Sequence, residues 1–169
     1  MTPSRTLLAA LGGLLIAGPA LANACMRPEE RSAFDVRALR TYLMVSALNC
    51  RQGESYNTFV RRFGAELSAA ERAATAYFQR AYGGQMRSRL DAYNSNLANE
   101  HSEDAIRAGS FFCRDVEPLF RQALATPGPQ LAQFAAERNI PQTFTAAECP
   151  AGATASERPA RPTRTAARR

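Results

Sequence analysis

Histidine occurs once in this chain, at His101, inside the run Asn99-Glu100-His101-Ser102-Glu103-Asp104. An imidazole beside Glu100, Glu103 and Asp104 offers two chemistries, a His–carboxylate acid/base or a cluster of ligands for a divalent cation. The competing reading is a polar helix end, with His101 packed on an apolar stripe and hydrogen-bonded there. Zinc sites draw three or four protein ligands, mostly His or Cys, and these acids lack the Asp-x-Asp-x-Asp-Gly order of a calcium loop. No metal site is therefore expected. Ser102 and His101 have the composition of a nucleophile and its base, but no G-x-S-x-G elbow positions them. Met44, Met86 and His101 have the composition of a haem pocket, yet methionine at helical spacing reads as core filler. Neither a catalytic residue nor a cofactor is assigned.

Every one of the 21 basic residues is Arg. The absence of Lys excludes a Schiff-base lysine, a phosphate-loop lysine and a lysine general base. It also removes one usual member of the Arg, Lys and carboxylate set with which exported helical mutases stabilise a dianionic transition state. Arg61 with Arg62, and Arg87 with Arg89, have the chemistry to hold a carboxylate, but on amphipathic helices they read as solvated faces.

The four cysteines, Cys25, Cys50, Cys113 and Cys149, form no C-x-x-C, so thioredoxin-like chemistry and haem attachment lack their motif. An even count in an exported chain reads as two disulfides. Helix length weighs the three connectivities. A helix over residues 32–50 rises ~27 Å, and the stretch from Cys25 to Ser32 reaches ~24 Å at most. Cys25 with Cys50 would need an almost straight return along that helix and ranks last. Cys50 and Cys113 both fall on apolar helical faces and pair as a core cross-link, which leaves Cys25 and Cys149 to clasp the ends of the domain.

The export reading rests on residues 1–24. Arg5 precedes an apolar run from Leu7 to Ile16, and Ala20-Leu21-Ala22 and Ala22-Asn23-Ala24 fit signal-peptide cleavage. Gly12, Gly13, Gly18 and Pro19 interrupt the run, which falls short of the ~20 apolar residues of a membrane span. Cys25 directly after the site raises lipoprotein processing, but Ala22 stands where lipoprotein signals carry Leu. The chain is expected to be periplasmic or secreted, with no transmembrane span once the leader is removed.

The elements that must position these residues all read as helices. Ser32 as a cap opens a helix with Val36, Leu39, Leu43, Ala47 and Cys50 on one stripe, widened by Tyr42, Val45 and Leu48. Ser55 caps a second, carrying Tyr56, Phe59, Val60, Phe63 and Leu67. Ser68-Ala69-Ala70-Glu71 is a capping box for a third, which presents Ala74, Tyr77 and Phe78 and stops at Gly83-Gly84. A fourth begins near Gln85 and carries Met86, Leu90, Tyr93, Leu97 and His101. Ile106, Cys113, Val116, Phe120 and Leu124 continue the spacing, with a kink or restart at Pro118. A short helix with Leu131, Phe134 and Ala135 follows Pro127-Gly128-Pro129 and ends before Ile140-Pro141. The fold class is all-α, a small disulfide-stabilised bundle of five to six helices over 25–149.

Residues 150–169 hold three prolines and no large apolar side chain, a composition that favours disorder. The formal charge of +6 divides unevenly: residues 25–149 carry 15 Arg against 14 acids, and residues 150–169 carry five Arg against Glu157. Arg158, Arg161, Arg164, Arg168 and Arg169 form the candidate anion contact, with lipid phosphate, lipopolysaccharide or an acidic protein as counterpart, against the plainer role of a solubilising end. Nucleic acid is not expected, because aromatic residues do not interleave with the arginines. The function expected is a non-catalytic binding module of the periplasm or cell envelope, chaperone-like, adaptor or inhibitor, acting on an unknown protein or anionic envelope component. The alternative is a small periplasmic enzyme that uses His101 and arginines on an anionic substrate.

Overall fold

Pro28 sets the start of the first helix. Its fixed φ and missing N–H suit the first helical position, and the Arg27 N–H ahead of it donates to Glu30 Oε2 at 2.8 Å. The computed structural model describes residues 25–150, and α1 runs over Pro28–Cys50, one turn earlier than the Ser32 cap expected from sequence. Ser32 lies inside the helix, where its hydroxyl donates to the Pro28 carbonyl at 3.2 Å.

Five further α-helices follow: α2 (Gly53–Arg62), α3 (Gly64–Tyr82), α4 (Met86–Ala108), α5 (Phe112–Ala125) and α6 (Leu131–Arg138). Four are long, whereas α2 and α6 have 10 and 8 residues. No strand is present among the described residues, only an isolated bridge between Met26 and Glu148.

Three boundaries correct the sequence reading. The stripe from Tyr56 to Leu67 is one pattern but two helices, because the backbone breaks at Phe63 and Leu67 belongs to α3. Ser68 does not cap; it sits a turn inside α3 and donates to the Gly64 carbonyl at 2.7 Å. The restart expected at Pro118 falls instead at Gly109, whose φ of +55° is the left-handed conformation that a side chain resists, and Pro118 lies within α5. Gly83, at φ +52°, ends α3 in the same way.

Helix α1 is buried on two opposite faces and lies between two apolar cores. Val36, Leu39, Leu43 and Ala47 pack with Phe59, Phe63, Val116, Phe120 and Leu131 from α2, α5 and α6 and the α2–α3 break. Phe34 and Ala38, on the other face, pack with Tyr77, Phe78, Tyr93 and Leu97 of α3 and α4. Phe144 closes that second core, with its ring 5.4 Å from Phe34 and 5.6 Å from Tyr77. Aromatic rings at these distances add edge and offset contacts to the burial of apolar area.

The cysteines pair Cys25 with Cys149 and Cys50 with Cys113. Around the first bond the chain ends run side by side, as Met26 N–H donates to the Ala147 carbonyl at 2.8 Å and Cys149 N–H to the Met26 carbonyl at 2.9 Å. The second ties the end of α1 to the start of α5. No helix among the described residues is long and apolar enough to cross a membrane.

Candidate binding site

The polar run around His101 divides between two faces of α4, as 3.6 residues per turn requires. Glu100, Glu103, Asp104 and Arg107 share the outer face at i, i+3, i+4 and i+7, while Leu97, His101 and Ala105 point inward and are buried. Arg107 gathers the three carboxylates, contacting Glu100 at 3.5 Å, Glu103 at 3.6 Å and Asp104. His101 has no exposed surface. Its Nε2 lies 3.0 Å from the Pro141 carbonyl, and its ring stands edge-on to Tyr42 at 5.3 Å.

Burial holds the imidazole below its ordinary pKa, against the smaller opposing pull of the Pro141 carbonyl, Asp104 and Glu100. A neutral ring that donates from Nε2 to Pro141 keeps its lone pair on Nδ1, which is buried with no hydrogen-bond partner. Its imidazole therefore locks the segment after α6 onto α4 and presents no face to a substrate. Among the described residues no three of His, Cys, Asp and Glu converge to hold a metal ion.

Asp104 alone of the polar run reaches a cleft. This cleft, of about 410 Å³, lies between α1, α4, α5 and the segment that follows α6, and Tyr42, Asp104, Asp115 and Arg138 bring its polar groups. Phe112, Val116, Leu119 and Ile140 form its apolar walls. Asp104 Oδ2 is buried without a hydrogen-bond partner. Burial, followed by the charges of Asp104 and Asp115, raises the Tyr42 phenol above its ordinary pKa and keeps it a neutral donor. Sequence reading missed Asp115 as a partner of Asp104 and gave Tyr42 only to the core stripe. Nothing local could pair them, since the cleft joins residues from four separate stretches of chain.

Two other grooves are open. One of about 280 Å³ is lined by alanines of α1, α3 and α6 together with Glu29 and Glu66. The other, of about 380 Å³, lies beside Arg40, Glu71 and Arg72.

Of the remaining arginine candidates, Arg87 makes no ion pair or hydrogen bond with a described residue, and the other three are spent locally. Arg61 pairs with Glu54 at 3.2 Å, Arg62 lies over the Phe63 ring at 5.5 Å, and Arg89 lies over Tyr82 at 5.3 Å. Arg158, Arg161, Arg164, Arg168 and Arg169 lie outside the described residues, as does the expected leader over 1–24.

Large apolar side chains stand in solvent at the end of the bundle that carries the Cys50–Cys113 bond. Leu48 and Phe111 each lie two residues before one of its cysteines and are 78% and 59% exposed, and Ile106, near the end of α4, is 78% exposed. Both Leu48 and Ile106 were expected on buried stripes. Ile106 follows the inward Ala105, so it turns ~100° away from the core. Leu48 follows Ala47, the last buried α1 residue of the first core.

Fold and surface thus define a class, a disulfide-bonded all-α protein with one buried histidine and an open apolar end. No family model, no curated protein and no solved structure matches the chain.

Proposed function

We propose that this is an exported, non-catalytic binding module of the periplasm or extracellular space, which engages a protein partner through the apolar end at Leu48, Ile106 and Phe111. The observation that carries the reading is the inversion of expected roles around α4: the only imidazole is turned inward, while three large apolar side chains are turned outward. Scattered exposed apolar residues are ordinary, but Leu48 and Phe111 each stand two residues before a cysteine of one disulfide and Ile106 precedes Phe111 closely in the chain, a grouping of the kind interfaces use. Two disulfides support an oxidising compartment, and the leader-like residues 1–24 support export.

The test places a photo-crosslinking amino acid at Leu48 in the full chain, expressed in a Gram-negative host with its own leader. A discrete adduct that disappears with Ile106→Ser and Phe111→Ser is expected. Absence of adducts, or adducts indifferent to both substitutions, would overturn the reading.

A further inference from the structure

We infer that the cleft bounded by Tyr42, Asp104, Asp115 and Arg138 is a binding site for a small apolar zwitterion, an α-amino acid or short peptide with an aliphatic or aromatic side chain. This goes beyond the macromolecular reading above and stands on different residues.

Charge arrangement selects the ligand. Asp104 is one of the cleft's lining residues; its Oδ2 is buried without a donor, while its Oδ1 takes Arg107. Buried acceptors are almost always satisfied, and an ammonium group brings three donors to such a position. Asp115 adds a second, exposed carboxylate, shared with Arg114 at 2.8 Å. The lining includes one cation, Arg138, whose guanidinium lies over the Phe134 ring at 4.6 Å and makes no ion pair with a described residue. Its N–H donors make no hydrogen bond with a described residue, and a guanidinium suits a carboxylate.

A simple cation would answer Asp104 Oδ2 and leave Arg138 without an ion-pair partner; a simple anion would answer Arg138 and leave Asp104 Oδ2 without a donor. A ligand bearing both charges satisfies both, and the Phe112, Val116, Leu119 and Ile140 side chains receive an apolar body. The volume of about 410 Å³ falls at the lower end of small-molecule sites and exceeds what an isolated ion requires.

Isothermal titration of the full chain tests this with L-phenylalanine, L-leucine and leucyl-leucine, against phenethylamine and 3-phenylpropanoate as single-charge analogues. Saturable binding of at least one zwitterion is expected, with either analogue weaker than its best zwitterion by about tenfold or more. Saturation by the free amino acids assigns the site to them, and saturation by leucyl-leucine alone assigns it to peptides; both support the proposal. Arg138→Gln, at an exposed position, and Asp104→Asn are each expected to weaken binding about tenfold, with circular dichroism reporting an intact fold. The proposal is overturned if no zwitterion binds, if an analogue binds as well, or if Arg138→Gln binds like the unaltered protein.

Discussion

Arg80 of α3 grips Glu30 of α1 with both carboxylate oxygens in reach, at 2.7 Å to Oε1 and 2.5 Å to Oε2. The same Arg80 nitrogen donates to the Cys25 carbonyl at 3.0 Å, and Glu30 also takes the Arg27 N–H. One buried ion pair thereby fixes the start of α1, the α1–α3 contact and the chain end at the first disulfide. The side chains are 6% and 19% exposed for Glu30 and Arg80, so water replaces little of what either would lose.

Arg80→Met should therefore destabilise the protein by about 3 kcal/mol, because it leaves the Glu30 carboxylate buried without its cation. Replacing both partners with apolar residues, Arg80→Met with Glu30→Leu, should recover part of that loss. Urea unfolding measures both; a loss below about 1 kcal/mol for the single variant would mean that Glu30 reaches water without Arg80.

The two disulfides close loops of very different length, with sequence separations of 63 and 124. Loop-closure entropy grows only logarithmically, so replacing either pair by alanines should cost roughly 4–5 kcal/mol, with the longer loop dearer by only about 0.6 kcal/mol. Thermal unfolding of Cys50→Ala/Cys113→Ala and Cys25→Ala/Cys149→Ala makes the comparison. A much smaller loss for the second pair would show that the hydrogen bonds of Met26 and Cys149 hold the chain ends without the covalent bond.

Stability should depend on pH through His101. Its folded pKa lies below the ordinary 6.5, so the unfolded chain binds the extra proton. The contribution is complete above that ordinary value and is lost as pH falls below it. Unfolding free energy measured between pH 7.5 and 5.5 should decrease toward acid. His101→Gln should flatten the slope, since no second histidine exists to replace it. Asp104 and Glu100 act on the ring in the opposite sense and keep the dependence shallow. A stability that rises toward acid would contradict the buried, neutral imidazole.

Substitutions at the apolar end should separate binding from folding. Leu48→Ser and Ile106→Ser remove side chains already 78% exposed, so stability should change by less than about 0.5 kcal/mol. Leu43→Ala, five residues earlier on α1 and fully buried, should cost roughly 2–5 kcal/mol. Chemical denaturation of the three variants checks the contrast; comparable losses would place Leu48 or Ile106 in contact with the core.

Much of the fold was legible locally. Periodic apolar residues at i, i+3 and i+4 identified α1, α4 and α6, and helix length ranked the cysteine pairs, because these signals depend on neighbours within a few turns. Caps were less legible: Ser32 and Ser68 each precede an acid three residues on, yet Pro28 and the break at Phe63 set the starts, and both serines bond backward to carbonyls within their own helices. A serine hydroxyl serves either role, and the choice falls to whichever upstream residue begins the helix.

By itself the sequence determined the helical class of residues 25–149, a ranking of the cysteine pairings, the absence of lysine chemistry and the presence of a single imidazole. Tertiary structure decided which side of each stripe meets solvent. Ala105 and Ile106 are adjacent, yet one is buried and the other is not, because a neighbouring helix covers only one direction from α4. It also decided the cleft, where Tyr42, Asp104, Asp115 and Arg138 converge from α1, α4, α5 and α6. Periodicity states that a residue belongs to a face; only the packing of helices distant in sequence states what that face touches.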